Sequence, residues 1–304
     1  MKNYKLDKKR LIINLTLKTK NNFNQSKGNE KMSCYKYWGK IEEIANALEE
    51  YGDIEKYGDC ELDHVELENI LKLLDEVEII AHDNIIDFDS AKHILDDPKM
   101  NKALQLIRKF YVYIGARLET ENAKRILKSE NPKKILESFK FFDRYEGLIK
   151  NESQLVRFDE NKKIVFIGSG PLPLTLIMFN KIFKSKCIGI EVDEETAKLS
   201  KEVLKKLNIK KDIEILVGDE KTIKEIDYDI IMVAALAEPK ERVFANIWEI
   251  VNEKTPVLYR TYTGMRAILY SPVTEKETRG FHKEVMILPT GNINNTSVLI
   301  RKII

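Results

Sequence analysis

The segment "FIGSGPLPLT", Phe166 to Thr175, closes a β-branched run on Gly168-Ser169-Gly170. That spacing lets a strand-turn-helix unit bring its backbone close to a small ligand. Three residues after Gly170 a dinucleotide fingerprint needs a third glycine, and here the position is Pro173. A pyrophosphate sits on N–H groups at the start of the next helix, and Pro171 and Pro173 have none to give. S-adenosylmethionine carries no phosphate and loses nothing at such a loop. Two acids fit the same ligand. Glu191 ends the next apolar run, where a carboxylate can hold both ribose hydroxyls, and Asp219 in "VGDE" can accept from an adenine amine. Each acid alone reads equally as a solvated strand end or a helix cap, and Gly-x-Gly alone is a weak signal. Together they point to a nucleoside.

The stretch "VAALAEPK" follows the fourth apolar run. Enzymes that methylate base amines carry an Asn/Asp-Pro-Pro-aromatic signature there, whereas this chain has Ala234, Ala235 and Leu236, without a polar grip on an amine. Histidines are few and scattered (His64, His82, His93, His282), and "AHDNIIDFDSAKH" has no metal-ligand spacing, so its acids read as helix caps. No resident metal is expected.

These residues need elements to hold them. From Lys163 onward, "KIVFIG", "KCIGIEVD", "IEILVGDE", "YDIIMVAAL" and "TPVLYRTY" alternate with amphipathic stretches such as "EETAKLSKEVLKKLNI". This is the βαβ pattern of a parallel sheet covered on both faces. "KEVMILPT" and "TSVLIRKI" flank the turn-rich "GNINN" and read as a hairpin that finishes the sheet. Between about Tyr35 and Gln154 the period is helical. "NKALQLIRKFYVYIGARLE" places Leu104, Ile107, Tyr111, Ile114 and Leu118 on one stripe, and Pro98 and Pro132 stand where helices should start. The expected architecture is α/β. A basic, disordered extension (1–31) leads to an all-helical bundle of five or six helices (32–155). A Rossmann-like S-adenosylmethionine-dependent transferase domain with a C-terminal antiparallel hairpin (156–304) completes it.

Composition bounds the partners. The 304 residues are 43% hydrophobic and 33% charged, ordinary for a soluble globular protein, and no apolar run is long enough for a bilayer. The N-terminus is too polar for a signal peptide. Cys34, Cys60 and Cys187 are far apart with no C-x-x-C pair, which favours a reducing cytoplasm. The net charge of +2 conceals a balance of +7 over residues 1–31 and −5 over the rest. The tail reads as a nucleic-acid arm or as sequence upstream of a start at Met32. The second is favoured, because no aromatic platform accompanies the charge and the body is acidic. Neither nucleic acid nor membrane is expected as a partner.

Longer motifs then carry a family resemblance. "GSGPLPLT", "VAALAEPK", "YRTYTGMRAILYSPV" and "NNTSVLI", with "MSCYKYW", "IDFDSAKHILDD" and "RKFYVYIG", closely resemble the nicotianamine synthase family, above all its archaeal members. The likeness runs from about Met32 to the C-terminus. It implies transfer of the 3-amino-3-carboxypropyl arm of S-adenosylmethionine to an amino-acid amine. Methylthioadenosine is released and a linear metal chelator is made, with no metal required by the enzyme. Glutamate is the acceptor expected of the archaeal branch, and a homodimer is among the expected assemblies. The resemblance makes Glu119, at the end of "YIGARLET", the catalytic glutamate, and puts Tyr145 of "FFDRYEGL" beside the reacting centre. By their own pattern these two would be a helix-surface acid and a core aromatic. Gly168, Ser169, Gly170, Glu191, Asp219, Ala234 and Ala235 are the expected donor contacts. Arg260 and Arg266, after the fifth strand, are candidates for the substrate carboxylates, with a salt bridge to the helical half as the equal alternative. Two other readings stay open: a methyltransferase acting on a small amine, which would release S-adenosylhomocysteine, and a non-catalytic nucleotide- or nucleic-acid-binding module.

Overall fold

The structure is a computed structural model that describes residues 26–57 and 63–303, with side chains from Lys36 onward except at 56 and 57. Among the described residues six α-helices precede the first strand: α1 (Ser26–Glu49), α2 (His64–Ala81), α3 (Phe88–Leu95), α4 (Asn101–Lys128), α5 (Pro132–Glu137) and α6 (Phe142–Glu152). Their starts follow local chemistry. Asp63 caps α2 in a full capping box with Glu66, and Asp87 accepts from the Ser90 amide to cap α3. Pro132 opens α5, and Pro98 opens a short 3-10 turn that runs into α4. The first helix begins at Ser26, inside the polar segment read from composition as structureless. That reading of residues 1–25 lies outside the described residues.

Seven strands form one sheet: β1 (Lys163–Ile167), β2 (Lys186–Glu191), β3 (Ile213–Val217), β4 (Ile230–Val233), β5 (Val257–Thr261), β6 (Phe281–Ile287) and β7 (Thr296–Lys302). Their order is β3-β2-β1-β4-β5-β7-β6. The first five are parallel, and β7 inserts antiparallel between β5 and β6. Order reverses between β1 and β4, so the loops after them part and leave a crevice at their carboxyl ends. Helices α7 (Leu174–Phe183), α8 (Glu194–Lys206) and α9 (Lys240–Ile250) are the crossovers. Among the described residues no helix is long and apolar enough to cross a membrane.

Apolar burial divides into three cores. One lies under α9, against β1, β4, β5 and β7. A second packs α5, α6, α7 and α8 on the opposite face, and it includes Ala123 and Ile126 from the end of α4. The third joins α1, α2, α3 and the first half of α4, through Leu104, Ile107 and Ile114, to the segment after β5 (Tyr262, Met265 and Ile268). At 28 residues, α4 is about 42 Å long and reaches both layers.

A buried ion pair ties the layers from beneath. Arg260 on β5 donates from Nε and Nη2 to the two oxygens of Glu152 at the end of α6, at 2.7 and 3.0 Å, and from Nη1 to Thr175 of α7. Ser297 of β7 also donates to Glu152. Burial opposes the charge on Arg260, and Glu152 more than offsets it, so the guanidinium is held even more firmly protonated. Replacing Arg260 by Met leaves Glu152 buried without its counter-charge, a loss of about 3–5 kcal/mol. Thermal unfolding should show a Tm lower by on the order of 10 °C. The double variant Glu152→Met/Arg260→Met should recover most of it, and an Arg260→Met single variant as stable as the parent would refute the account.

Candidate active site

The carboxyl ends of the parallel strands and the facing sides of α2, α4 and α6 enclose a cavity of about 430 Å³. That volume suits a small-molecule site. Gly168, Ser169, Gly170, Glu191, Asp219, Ala234, Ala235, Glu119, Tyr145 and Arg260 all line it, so the fold collects residues scattered over more than 140 positions of chain.

The loop after β1 is shaped by what lies opposite. Gly168 has φ +81°, its amide donates to the Ile190 carbonyl, and a Cβ there would stand 3.2 Å from Cβ of Ala234. Small residues on both sides keep the crevice open. Gly170 has φ +70° and donates its amide to Glu191 Oε2 at 2.8 Å. The other oxygen of Glu191 accepts from the Asp193 amide. Ser169 is buried and its Oγ has no protein partner. A buried hydroxyl in that condition fits a loop meant to be completed by a ligand. Asp219 accepts from the Lys221 amide as cap of the turn after β3, which leaves it spare acceptor capacity. Val192 and Leu236, both exposed and apolar, stand at the rim beside these acids. They give the rim two apolar walls, of which Val192 was not among the residues singled out from sequence.

Glu119 faces this loop from α4. Its Oε2 lies 3.3 Å from where a Cβ on Gly170 would be, and Oε1 accepts from the Tyr145 hydroxyl at 3.2 Å. The carboxylate touches the cavity surface yet is enclosed by protein. Burial pushes its pKa up to about 7; the Tyr145 hydrogen bond works against this, and the nearby charge of Glu191 adds to it. Burial likewise drives the Tyr145 phenol far above its ordinary range, so it remains a hydrogen-bond donor. A carboxyl that titrates near neutrality, 26 residues in sequence from its partner, can take up and release a proton at working pH.

Of the two arginines, Arg260 takes up the salt bridge to the helical half that stood as the equal alternative, and Arg266 does not reach the cavity. Arg260 lines the cavity, but all three of its nitrogens are engaged by Glu152 and Thr175. Arg266 is not among the lining residues; it donates to the carbonyls of Ile293 and Gly291 and so fastens the turn before β7. Arg260 sits inside β5 and Arg266 in the turn that follows it, and the packing turned both inward as struts.

A polar network not foreseen from sequence closes the far end. Arg144 on α6 makes a two-pronged pair with Glu78 of α2, at 2.8 and 2.7 Å. Glu78 also accepts from Tyr111 and Asn294, and Asn294 meets His82 at 2.5 Å. Burial alone would raise the Glu78 carboxyl, but Arg144, Tyr111 and Asn294 together hold it below its ordinary range. The asparagine pair of "NNTSVLI" was visible in sequence, with nothing to say what it faced.

The chain is similar to known proteins in both sequence and fold. A family model described as nicotianamine synthase protein matches residues 44–304. The nicotianamine synthase of Solanum lycopersicum is 29% identical over 226 residues, covering 69% of this chain and 71% of that protein. A crystal structure of MtNAS in complex with MTA and tNA is 47% identical, with a TM-score of 0.82 over 88% of this chain and 98% of that one. A Glu-to-Gln variant of MtNAS in complex with S-adenosylmethionine superposes with a TM-score of 0.81 at 46% identity over the same shares. The L-histidine 2-aminobutanoyltransferase of Pseudomonas aeruginosa is 23% identical over 135 residues, 44% of this chain and 51% of that protein.

The raised pKa of Glu119 has a measurable price in stability. In the unfolded chain the group loses its proton at the ordinary carboxylate pH, whereas the folded protein keeps it to about 7. Between those values the unfolded state binds fewer protons, so the contribution of Glu119 falls as pH rises and is lowest above 7. Glu119→Gln should therefore stabilise the protein at pH 8, by on the order of 2 kcal/mol, and change little at pH 4. Denaturant unfolding at the two pH values measures this. Equal effects at both would mean the carboxyl is not perturbed.

Proposed function

The chain belongs to the nicotianamine synthase family, and from that premise we infer that Glu119 is the base that readies an amino-acid amine for attack on S-adenosylmethionine. The protein is an S-adenosylmethionine-dependent transferase that moves the 3-amino-3-carboxypropyl group to an amine and makes a nicotianamine-like compound. The donor supplies a sulfonium that activates each carbon attached to it. What the chain contributes is selection among those carbons, a proton acceptor, and exclusion of water.

In this reading Gly168 and Gly170 give the donor an unobstructed backbone. Ser169 Oγ supplies a hydrogen bond, Glu191 holds the ribose and Asp219 the adenine amine, with Val192 and Leu236 against the base. Ala234 packs beside Gly168, and with Ala235 it offers the methyl no nucleophile. The acceptor amine comes from the α4 side. Its proton passes to Glu119, its lone pair forms the new C–N bond, the C–S bond breaks, and the electron pair stays on the sulfur of methylthioadenosine. Tyr145 donates to Glu119 throughout and orients it. Glutamate is the proposed first acceptor. Its name assigns L-histidine to the Pseudomonas relative, so histidine belongs in the acceptor panel as well.

The single observation that supports this reading best is the placement of a near-neutral carboxyl against the glycine that a donor must pass, with Glu119 Oε2 3.3 Å from the Gly170 Cβ position. Incubation with S-adenosylmethionine and glutamate should give methylthioadenosine and products heavier by aminocarboxypropyl units. S-adenosylhomocysteine with methylated products would contradict the transfer assigned. Glu119→Gln should keep donor affinity by calorimetry and lose about two to four orders of magnitude in turnover. Gly170→Val should do the opposite in kind and abolish donor binding, because a branched residue is strained at its φ of +70° and would crowd the Glu119 carboxylate.

Protonated Glu119 cannot accept a proton, so kcat/KM should fall as pH drops through about 7. The parent should show that acidic limb and Tyr145→Phe should shift it upward, since the phenol stabilises the carboxylate. An unmoved limb in the Tyr145 variant would assign the titration to another group.

A further inference from the structure

We propose that the buried Arg260–Glu152 pair positions the Tyr145 hydroxyl on Glu119 and so sets how readily Glu119 accepts the amine proton. The inference rests on the transferase reading above and gives two residues outside the reacting atoms a part in it. Tyr145 and Glu152 stand seven residues apart on α6, two turns along one face. Arg260 meets that face from β5. Its Nε and Nη2 hold the two Glu152 oxygens, and its guanidinium carbon lies over the Tyr145 ring, 5.9 Å from the ring centre. The same carbon lies 5.1 Å from the centre of the Phe166 ring on β1, and Nη1 donates to Thr175 at the start of α7. A cation over aromatic faces attracts them and fixes where they sit. The ring that Arg260 fixes carries the hydroxyl that Glu119 accepts from.

That hydrogen bond has little margin. At 3.2 Å it is long for a hydroxyl donor, so a small turn of the ring would lose it. Stability alone does not call for an ion pair behind it. Glu152 is fully buried and is the last residue of α6, where the helix dipole opposes a negative charge. A well-packed apolar pair in its place would hold the same elements at equal or lower cost. The charge has a use at the site. Glu119 faces Tyr145 from α6 and Glu191 from the end of β2, and Tyr145 faces Tyr262 beyond β5 as well as Arg260. Arg260 alone among these groups is a cation. Its field favours negative charge on the phenol oxygen, which makes the hydroxyl a stronger donor to the Glu119 carboxylate. Loss of the pair therefore weakens the one hydrogen bond that holds down the proton affinity of Glu119.

The test uses the full chain with S-adenosylmethionine and a panel of amino acids, and follows methylthioadenosine. Glu152→Met/Arg260→Met removes the cation without leaving a buried charge, and should keep most of the parental Tm. It should still lose about 10- to 100-fold in kcat/KM near pH 7, the range for a lost hydrogen bond to a charged group. Its acidic limb should move upward, as in Tyr145→Phe. In a Tyr145→Phe background the double change should add nothing, because the hydroxyl it acts through is gone. Arg260→Lys keeps the charge but lacks the planar fork, and should move the limb the same way if the double variant does not fold. Parental kinetics with an unmoved limb, or an undiminished further loss in the Tyr145→Phe background, overturns the proposal. NMR titration of isotope-labelled glutamate carboxyls reads Glu119 without turnover, and its midpoint should rise with the same substitutions. A parent that forms no methylthioadenosine with any amino acid overturns the transferase reading, whereas an unmoved Glu119 midpoint overturns the positioning.

Discussion

Helix α4 belongs to two hydrophobic cores at once, and the chemistry of the cavity depends on that sharing. Ile107 and Ile114 are buried among α1, α2 and α3, while Ala123 and Ile126 are buried against the layer that covers the sheet. Glu119 falls between these two anchored stretches and cannot move away from the Gly170 loop without disturbing one of them. A carboxylate held there loses water and gains only the Tyr145 hydroxyl and a nearby like charge. Its basicity is thus a consequence of packing on either side of it.

The sheet contributes the other wall through equally indirect means. Three carbons on one sulfonium are all activated, so the protein must choose by line of approach. The loop after β4 helps by being small and rigid. Buried Lys240 donates to the carbonyls of Ala235 and Ala237, and burial pulls its pKa down from the usual lysine range. A lysine there fastens the backbone of an apolar loop without presenting a nucleophile to the cavity. The loop's alanines in turn leave Gly168 the room it needs.

Most polar groups in this interior are structural. Arg260 with Glu152, Arg266 with two carbonyls, and Arg108 with the Ala267 carbonyl all join segments distant in sequence. Among the described residues, the buried side-chain atoms without a partner are Ser169 Oγ, Arg144 Nε and Asn295 Nδ2 on residues that line the cavity, and those of Asn122 and Ser200 away from it. Lack of a partner therefore points to function only where the residue also lines the cavity. Arg144 and the three strut arginines are chemically the same, and only the state of their nitrogens tells them apart.

By itself the sequence determined what depends on neighbours along the chain. Periods of two and 3.6 located the strands and helices, including the stripe of α4. The glycine pair followed by Pro171 and Pro173 excluded a phosphate-gripping turn, because a missing N–H is a local property. The longer motifs identified the family. The tertiary structure decided what depends on neighbours across it. Glu119 reads along α4 as one more surface acid, and its desolvation exists only because α6 and the loop after β1 close over it. Arg260 and Arg266 stand at the ligand edge by count, yet Glu152, 108 residues earlier in the chain, engages the first and the carbonyls before β7 engage the second. Arg144 gave no signal in the pattern around it, since its partner Glu78 lies 66 residues away. A charge announces itself in a sequence; whether it is free is settled by what folding places against it.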